Sequence, residues 1–555
     1  MAFGILEPEN GEFSPGTVTL SHQTQTIIET PTDSHRTAKT HNHDRGIVLV
    51  PQPSDSPNDP LNWPQWRKDL ILLIISLLSA VVGAYGSMLG PGFVEIAAEL
   101  NVSVNEISQA TSYLVLACGL GLFVSNPLAK CYGKRPVYLV GGFVMFASSV
   151  WGAATHGYPS FLACRLVGGL GIGPYEVLVQ CTIGDMYFVH ERATRIAFWN
   201  LFLVAGISAG PVVSAYIIQY AGYRWTFGTC AVFFGVLTVA FFFLAPETAF
   251  IRACPGSTPV ATGVEQPETK SSNGAKHVQD VERVEVEEKS KTRNEEPSSP
   301  PGQVKDSYWR SLRVFHDRFS SASFLRVMTR PFILFLYPPI LWAFLTWGTT
   351  ITFTIAFGYV NGVIFTQPPY NMSTSQVGLT HISPLVQSVI CEIISRPLCD
   401  RIAVALTRRN NGIYEPEYRL VLMAPGFILG VCGFYGFGAT VHYTTHWTGP
   451  VLTYGMVNAG LAFVSTCVFG YIVDAFGDVA EEAFVAVNAR NFLSFGILYF
   501  INAWLERDGT LEVFVILGSL FVATTVLTVP LWMYGKIIRA RVYRVEWLQA
   551  YMKDD

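Results

Sequence analysis

Charged residues are scarce in this sequence. Asp, Glu, Lys and Arg make up only 14% of the 555 residues, whereas 50% are hydrophobic and 13% are aromatic. So little charge excludes an ordinary soluble protein of several domains and favours a chain embedded in a membrane. The net charge of −4 gives no basic surface for nucleic acid, so no nucleic-acid partner is predicted.

Motifs for catalysis, nucleotide hydrolysis and metal binding are missing too. The sequence holds no G-x-x-x-x-G-K-[ST] phosphate loop, no H-E-x-x-H and no protein-kinase motif set. The 10 cysteines show neither a C-x-x-C pair nor a metal-ligand spacing. We therefore predict no enzyme activity, no catalytic residue, no cofactor and no metal site. Without a phosphate loop, any work that this chain does would have to draw on an ion gradient or on a solute's own gradient.

Long apolar runs are abundant. A helix that crosses about 30 Å of hydrocarbon needs about 20 mostly apolar residues. Twelve stretches of that kind occur, which predicts an all-α polytopic membrane protein. The predicted spans of the first set are Leu70–Leu89, Gln109–Leu128, Val137–Thr155, Phe161–Ile183, Ile196–Ile218 and Thr226–Ala245. Those of the second set are Phe332–Ile355, Val377–Leu398, Leu420–Val441, Val451–Val473, Val485–Trp504 and Val513–Met533.

Polar segments flank and separate these two sets. Residues 1–69 and residues 250–330, which include VERVEVEEKSKTRNEEPSSPPG, hold too little apolar surface to fold alone. We predict a disordered N-terminal tail (1–69) and a disordered linker (250–330). The six-helix halves then occupy 70–249 and 331–538, and residues 539–555 form a C-terminal tail.

The loops differ in charge. Basic residues gather after predicted spans 2, 4, 8 and 12, whereas the opposite loops hold little beyond Arg224 and Arg507. By the positive-inside rule, both tails and the linker are cytoplasmic. The glycosylation sequons at Asn101 and Asn371 then fall outside. We predict a multi-pass protein of the plasma membrane that is glycosylated at these two asparagines.

Matching motifs occupy matching places in the two sets. Residues 126–136 (NPLAKCYGKRP) follow span 2, and 396–401 (RPLCDR) follow span 8. Span 4 begins with RLVGG at Arg165, and span 5 carries GISAGP at 206–211. With DPLNWP before span 1 and PET at 246–248, these motifs resemble fungal members of the major facilitator superfamily. Within it, the chain is most similar to the twelve-helix drug:proton antiporter branch, in a polyamine and multidrug subgroup.

This resemblance implies two pseudo-symmetric six-helix halves that rock about a central site. Lys130 stands where the family's loop motif has an aspartate. The expected partners are a small-molecule substrate, protons and the lipid bilayer, and a monomer is expected. The residues that the resemblance assigns to conformational motifs are Gly133, Lys134, Arg135, Gly206, Gly210, Pro211 and Asp400.

Charged residues inside predicted spans are candidates for the site, because a charge in a bilayer usually faces a water-filled cavity or another charge. Arg165 and Glu176 lie on span 4, about 20° apart in azimuth and about 16 Å apart along the axis, and Gln180 shares their face. We predict that this face lines the cavity, with Glu176 binding a proton or cation and Arg165 in the proton-coupling network. Alternatively, Arg165 bonds backbone carbonyls and the glycines between only pack.

Spans 7 and 8 offer further candidates. Glu392 could be a second carboxylate of the site, or it could pair with Arg396 four residues on. Thr346 and Thr350 share a helical face that suits an amphipathic ligand, although ordinary packing is the alternative. The acidic cluster that includes Glu481 and Glu482 is either a solvated loop or a partner of the nearby basic loops.

The function that this pattern favours is proton-coupled efflux of a drug or secondary metabolite by alternating access. Import of polyamines or other organic cations is the alternative, with Glu176 and Glu392 as cation ligands. A membrane sensor that transports nothing is a third hypothesis, favoured only by the substitution at Lys130.

Overall fold

The computed structural model describes residues 4–7, 14–19, 53–54, 56–250, 307–315, 318–319, 323–545, 547 and 551. Helices account for most of these residues, and the one sheet among them has two strands of two residues each. The central part of the linker, 251–306, lies outside the described residues, so its predicted disorder stays a prediction.

The first half follows a short 3₁₀ turn at Pro60–Asn62. Strand β1, Val18–Thr19, precedes it in the chain. The helices of this half are α1 Gln65–Ser87, α2 Phe93–Leu100, α3 Val104–Tyr132, α4 Lys134–Ala153, α5 Tyr158–Met186, α6 Val189–Ala221 and α7 Tyr223–Leu244.

The second half repeats the plan with two short helices ahead of it. These are α8 Tyr308–Ser311 and α9 Phe324–Leu334. The helices that follow are α10 Pro338–Thr366, α11 Thr374–Thr380, α12 Ile382–Arg409, α13 Met423–His442, α14 Thr448–Ala475, α15 Ala480–Asn488, α16 Arg490–Val526 and α17 Thr528–Tyr543. Strand β2, Ile413–Tyr414, lies between α12 and α13 and pairs antiparallel with β1.

Eleven helical stretches of the described residues are long and apolar enough to cross a membrane. The last, Ala480–Tyr543, has 64 residues, which is about 96 Å of straight helix and far more than one crossing needs. It is interrupted at Gly509, whose backbone is not helical, with φ 81° and ψ 165°. Two crossings within this stretch bring the total to the twelve that the sequence predicts.

Side-chain contacts show that α16 folds back on itself at Gly509. The hydroxyls of Thr352 and Ser494 lie 2.5 Å apart, and those of Thr349 and Thr524 lie 3.0 Å apart. Ser494 and Thr524 would be about 45 Å apart in one straight helix, yet both meet the same turn of α10. The arms 490–508 and 510–526 are therefore antiparallel, and the predicted two-half fold of twelve crossings is confirmed.

Several predicted boundaries were wrong. Span 7 was placed at Phe332–Ile355, but the helix runs from Pro338 to Thr366, and α9 ends before it at Leu334. Pro338 and Pro339 are tolerated in the first turn of a helix but not in its interior, so they mark the start of α10. A hydropathy average over a window does not detect this.

Parts of the predicted tails and linker are ordered. Residues 4–7 and 14–19 lie against the second half, where the side chain of Ile5 is only 2% exposed. Helix α17 continues to Tyr543, past the predicted boundary at residue 539. The described residues 307–315 also contact the first half, because Arg135 Nη1 donates to the carbonyl oxygen of Ser311 at 2.6 Å.

Two of the sequence motifs have a structural role that the contacts make plain. Gly133 has φ 96° where α3 turns into α4, and the carboxylate of Glu247 accepts the backbone N–H of Lys134 at 3.0 Å and of Arg135 at 3.1 Å. An anion there satisfies the free N–H groups at the start of α4. Gly206 and Gly210 of α6 face the backbone of α1, where a Cβ would have no room.

Candidate functional site

A cavity of about 160 Å³ lies between the two halves. Its wall is mostly apolar and includes the aromatic side chains of Trp199, Trp347, Tyr359 and Phe469. The polar residues of its wall that carry the argument below are Glu176, Gln180 and Asn200 from the first half and Asn458, Arg490 and Asn491 from the second. Such a wall suits a small amphipathic molecule.

Glu176 and Arg490 form an ion pair across the cavity. Glu176 Oε1 lies 3.6 Å from Arg490 Nη2, and its Oε2 accepts from Asn491 Nδ2 at 3.1 Å. Arg490 Nη1 donates to Asn491 Oδ1 at 2.9 Å, which fixes the guanidinium beside the amide. Glu176 comes from α5 and Arg490 from α16, so this charge pair joins the two halves at the cavity wall.

Small residues let the start of α16 approach its neighbours. A Cβ on Gly119 of α3 would lie 3.2 Å from the Cβ of Asn491, and one on Gly348 of α10 would lie 3.1 Å from the Cβ of Arg490. Larger side chains at these two glycines would push α16 away and lengthen the distance from Arg490 to Glu176.

The structure brings Glu176 and Gln180 to the cavity but leaves Arg165 outside its wall. The Arg165 guanidinium donates to the carbonyl oxygens of Tyr85 at 3.1 Å and Gly86 at 3.5 Å, and it stacks over the Tyr85 ring. This is the alternative arrangement for Arg165, in which the charge is satisfied by backbone carbonyls of α1. Gly169 and Gly173 of α5 pack against α3.

Glu392 lies at a second contact between the halves. Its Oε1 accepts from Asn200 Nδ2 of α6 at 2.7 Å, and only 6% of the residue is exposed. Among the described residues no ion pair joins it to Arg396, which was the alternative that the sequence left open for this carboxylate. The structure places Glu392 behind Asn200, which itself lines the cavity.

Thr346 and Thr350 do not line the cavity, and their arrangement is the ordinary packing that the sequence left open as the alternative. Both are buried, and Thr346 Oγ1 donates to the carbonyl oxygen of Thr524 at 3.3 Å. The face of α10 that lines the cavity carries Trp347, Ile351 and Thr354 instead. A helical period shows which residues share a face but not which way that face points.

A group of charges joins the halves at the terminal face, the face at which α1 begins and α17 ends. Lys130 Nζ lies 2.8 Å from Glu482 Oε1, and Arg330 Nη1 lies 3.5 Å from the same oxygen. Lys134 Nζ lies 2.7 Å from Asp185 and 3.6 Å from Glu481. We call the contacts of Lys130, Lys134 and Arg330 with Glu481 and Glu482 the latch. The acidic cluster is thus a partner of basic residues rather than a solvated loop.

The halves also touch on the opposite face. Gly90, just after α1, packs against the backbone of α10 at Gly358 and Gly362. Gln219 Oε1 of α6 accepts the backbone N–H of Ser375 at 2.8 Å. Contacts between the halves therefore lie on both sides of the cavity.

The motif at 396–401, which matches the motif at 126–136 of the first half, is more exposed, and its contacts lie within the second half. Asp400 is 3.6 Å from Arg419, which bonds Asp474 at the end of α14. Tyr414 donates to Asp474 as well, and burial with the neighbouring carboxylate raises the pKa of Tyr414. The phenol therefore stays protonated and remains a donor.

Arg490 is the site residue that the sequence reasoning missed. It lies inside the predicted span Val485–Trp504, so the rule that singled out Arg165 and Glu176 applies to it equally. Asn200 and Asn491 carry no comparable signal, because an amide in a membrane helix is common.

The sequence profile of the Major Facilitator Superfamily matches residues 75–499 of the chain. An uncharacterised MFS-type transporter of Schizosaccharomyces pombe is 28% identical over 556 residues, which cover 96% of this chain and 94% of that protein. Efflux pump radE of Floropilus chiversii is 26% identical over 455 residues, which cover 81% of this chain and 76% of that protein.

A solved structure has the same fold. The proton:xylose symporter XylE, bound to 6-bromo-6-deoxy-D-glucose, aligns with a TM-score of 0.56 at 13% identity. The alignment covers 85% of this chain and 96% of XylE. At this identity the likeness concerns the arrangement of helices alone.

Proposed function

We propose, from the premise that this chain belongs to the major facilitator superfamily, that it exports small amphipathic organic molecules in exchange for protons. Membership of this family makes it a secondary transporter of the membrane and not an enzyme. The finer statement, proton-coupled efflux through the cavity between the halves, is the proposal.

The observation that carries the proposal is the ion pair of Glu176 and Arg490 across the cavity. A carboxylate and a guanidinium from opposite halves attract each other only while the carboxylate is charged. A proton on Glu176 removes that attraction and leaves the hydrogen bond with Asn491 as the remaining tie at this point. Proton binding would thereby loosen one contact between the halves at the cavity itself.

The contacts on either side of the cavity support a mechanism of alternating access. The latch joins the halves on the side of the terminal face, and the contact at Gly90 joins them on the opposite side. Rocking of the halves opens one side while the other stays shut. Glu176 would take a proton on one side and return it on the other, with substrate moving against the proton.

The wall of the cavity supports an amphipathic substrate over a polycation. Glu176 is already neutralised by Arg490, and a second cation would have to displace that guanidinium. Aromatic side chains such as Trp199 and Trp347 offer apolar contact area instead. A relative whose name is efflux pump supports export as the direction. Import of polyamines is the runner-up, since Glu392 is a second buried carboxylate between the halves.

The test is transport into proteoliposomes under an imposed pH gradient. We expect tritiated chloramphenicol, a neutral amphipathic probe, to accumulate when the lumen is acidic, because protons that leave drive the probe in. A protonophore should abolish the accumulation. Spermidine that accumulates only in an alkaline lumen would overturn export in favour of import, and a purified, folded protein that moves neither probe would contradict transport of either class.

We propose further that the terminal face is cytoplasmic and that the protein lies in the plasma membrane. The sequon residues Asn101 and Asn371 support this orientation, since both are exposed and lie on the face opposite the latch. The expected result in a eukaryotic host is a glycosidase-sensitive species that Asn371→Gln shifts on a gel. The opposite orientation would give an unglycosylated wild-type chain. It would also give a glycosylated, slower-running chain once a sequon is placed in the described segment 307–315.

A further inference from the structure

The N-terminal segment is docked on the second half at the terminal face. The backbone N–H of Leu6 donates to the carbonyl oxygen of Met533 at 2.9 Å, and Val18 and Thr19 pair with Tyr414 and Ile413 in the β1–β2 ladder. We call the two described pieces, 4–7 and 14–19, the clasp. Backbone pairing of this kind fixes a segment in one register.

A buried charge cluster holds the centre of the clasp. Arg539 of α17 is 1% exposed and makes a two-pronged ion pair with Glu417, at 3.0 Å and 2.8 Å. It also donates to the carbonyl oxygen of Pro15. Thr17 Oγ1 donates to Glu415 Oε2 at 2.7 Å. Without the clasp, groups in a site with almost no solvent would lose hydrogen-bond partners, which is costly.

The clasp also abuts the end of the helix that leads to the latch. Gly16 has φ 83°, and a Cβ there would lie 2.5 Å from the carbonyl oxygen of Asp474 and 3.2 Å from the Cα of Ala475. Ala475 is the last residue of α14, and α15 begins only five residues later at Ala480 and carries Glu481 and Glu482. The clasp therefore supports the helix end from which the acidic side of the latch projects.

We propose that the clasp is a conformational device that keeps the latch closed, so that undocking the clasp favours opening of the cavity at the terminal face. The contacts of the clasp that the described residues show are with the second half, through α12 and its following turn, α14 and α17. It acts by fixing the end of α14, and through the short connection to α15 it fixes Glu481 and Glu482 opposite Lys130 and Lys134. This goes beyond the proposed export, because it concerns which face is open and holds for either direction of transport.

The experiment uses Cys118 as a reporter, since this cysteine lines the cavity and is 3% exposed. The full chain in nanodiscs is treated with N-ethylmaleimide, and the rate of Cys118 modification is read by peptide mass spectrometry. We expect Gly16→Ala to raise that rate about fivefold or more, because a side chain there is both strained and without room. Gly4→Ala is the matched control, because Gly4 also has positive φ, 87°, but open space around it.

Hydrogen exchange in the same samples reports whether the clasp has detached from the second half. Gly16→Ala should remove protection from the Leu6 amide and from the β1–β2 ladder. Deletion of residues 1–19 is the second variant, so the result does not depend on one substitution. Glu482→Gln opens the latch directly, and adding Gly16→Ala to it should give no further rise. The proposal would be overturned if the clasp of Gly16→Ala loses protection from hydrogen exchange, or residues 1–19 are deleted, without faster modification of Cys118. It would also be overturned if the clasp of Gly16→Ala stays protected from exchange.

Discussion

Glu176→Gln should abolish transport that is driven by a pH gradient while leaving exchange of substrate without a gradient in place. Glutamine has the shape of the protonated glutamic acid but never carries charge, so the pair with Arg490 cannot form or break with protonation. Gradient-driven accumulation in proteoliposomes should fall by about 100-fold, toward the background of protein-free vesicles, since no other acid of the described cavity wall takes its place.

Arg490 supplies the complementary test. Glu176→Gln leaves this guanidinium 8% exposed and without its carboxylate, which should lower the melting temperature of the purified protein. The double variant Glu176→Gln, Arg490→Gln removes both charges and should recover much of that stability but none of the coupling. Glu99→Gln, which alters a half-exposed pair with Arg224, is the matched control and should transport normally. Gradient-driven transport by Glu176→Gln at the wild-type rate would exclude Glu176 as the coupling group.

Breaking the ion pairs of the latch should have the second large effect, which is faster modification of Cys118. Substitutions on the acidic and the basic side of the latch should differ in the size of that effect. Glu482 has two cationic partners, Lys130 at 2.8 Å and the fully buried Arg330 at 3.5 Å. Glu482→Gln therefore removes the carboxylate that both cations share, whereas Lys130→Met removes one cation from a cluster that still holds Arg330. We expect modification of Cys118 to accelerate about tenfold in Glu482→Gln and about threefold in Lys130→Met, in keeping with energies measured for partly buried pairs.

The double variant Lys130→Met, Glu482→Gln separates pair breaking from general damage. Because the two residues touch, its effect should be clearly smaller than the product of the single effects. Asp400→Asn, in the more exposed second motif, is the control and should leave Cys118 modification unchanged. Equal effects of the two single variants, multiplying in the double, would show that Lys130 and Glu482 do not act as a pair.

Hydropathy was enough to predict twelve crossings in two halves, because a bilayer imposes a length on every helix that spans it. The ends of the helices were harder to predict from hydropathy. Pro338 starts α10 six residues after the predicted start, and the break at Ala489 falls inside a predicted span. Both are decided by local backbone geometry, which an average over 20 or so apolar residues does not resolve.

The site was predictable in part. Glu176 and Gln180 stood out because polar residues on one face of an apolar helix are expensive unless they meet a cavity. Arg165 satisfies the same pattern and is placed against the carbonyls of α1 instead. The difference depends on which neighbour packs beside each turn of α5, and a single sequence carries no record of that. The pairing of Glu176 with Arg490 joins positions 314 apart in the chain, beyond any local pattern.

The ion pair at the cavity also has an electrical consequence. Glu176 and Arg490 together carry no net charge, so a carrier in that state crosses the membrane field without work. A proton on Glu176 makes the pair a single positive charge, and each such charge moved across 100 mV is worth about 2.3 kcal/mol. The proposed exchange of a neutral molecule for a proton through this site would therefore be electrogenic. The membrane voltage would act only on the half of the cycle in which Glu176 carries the proton.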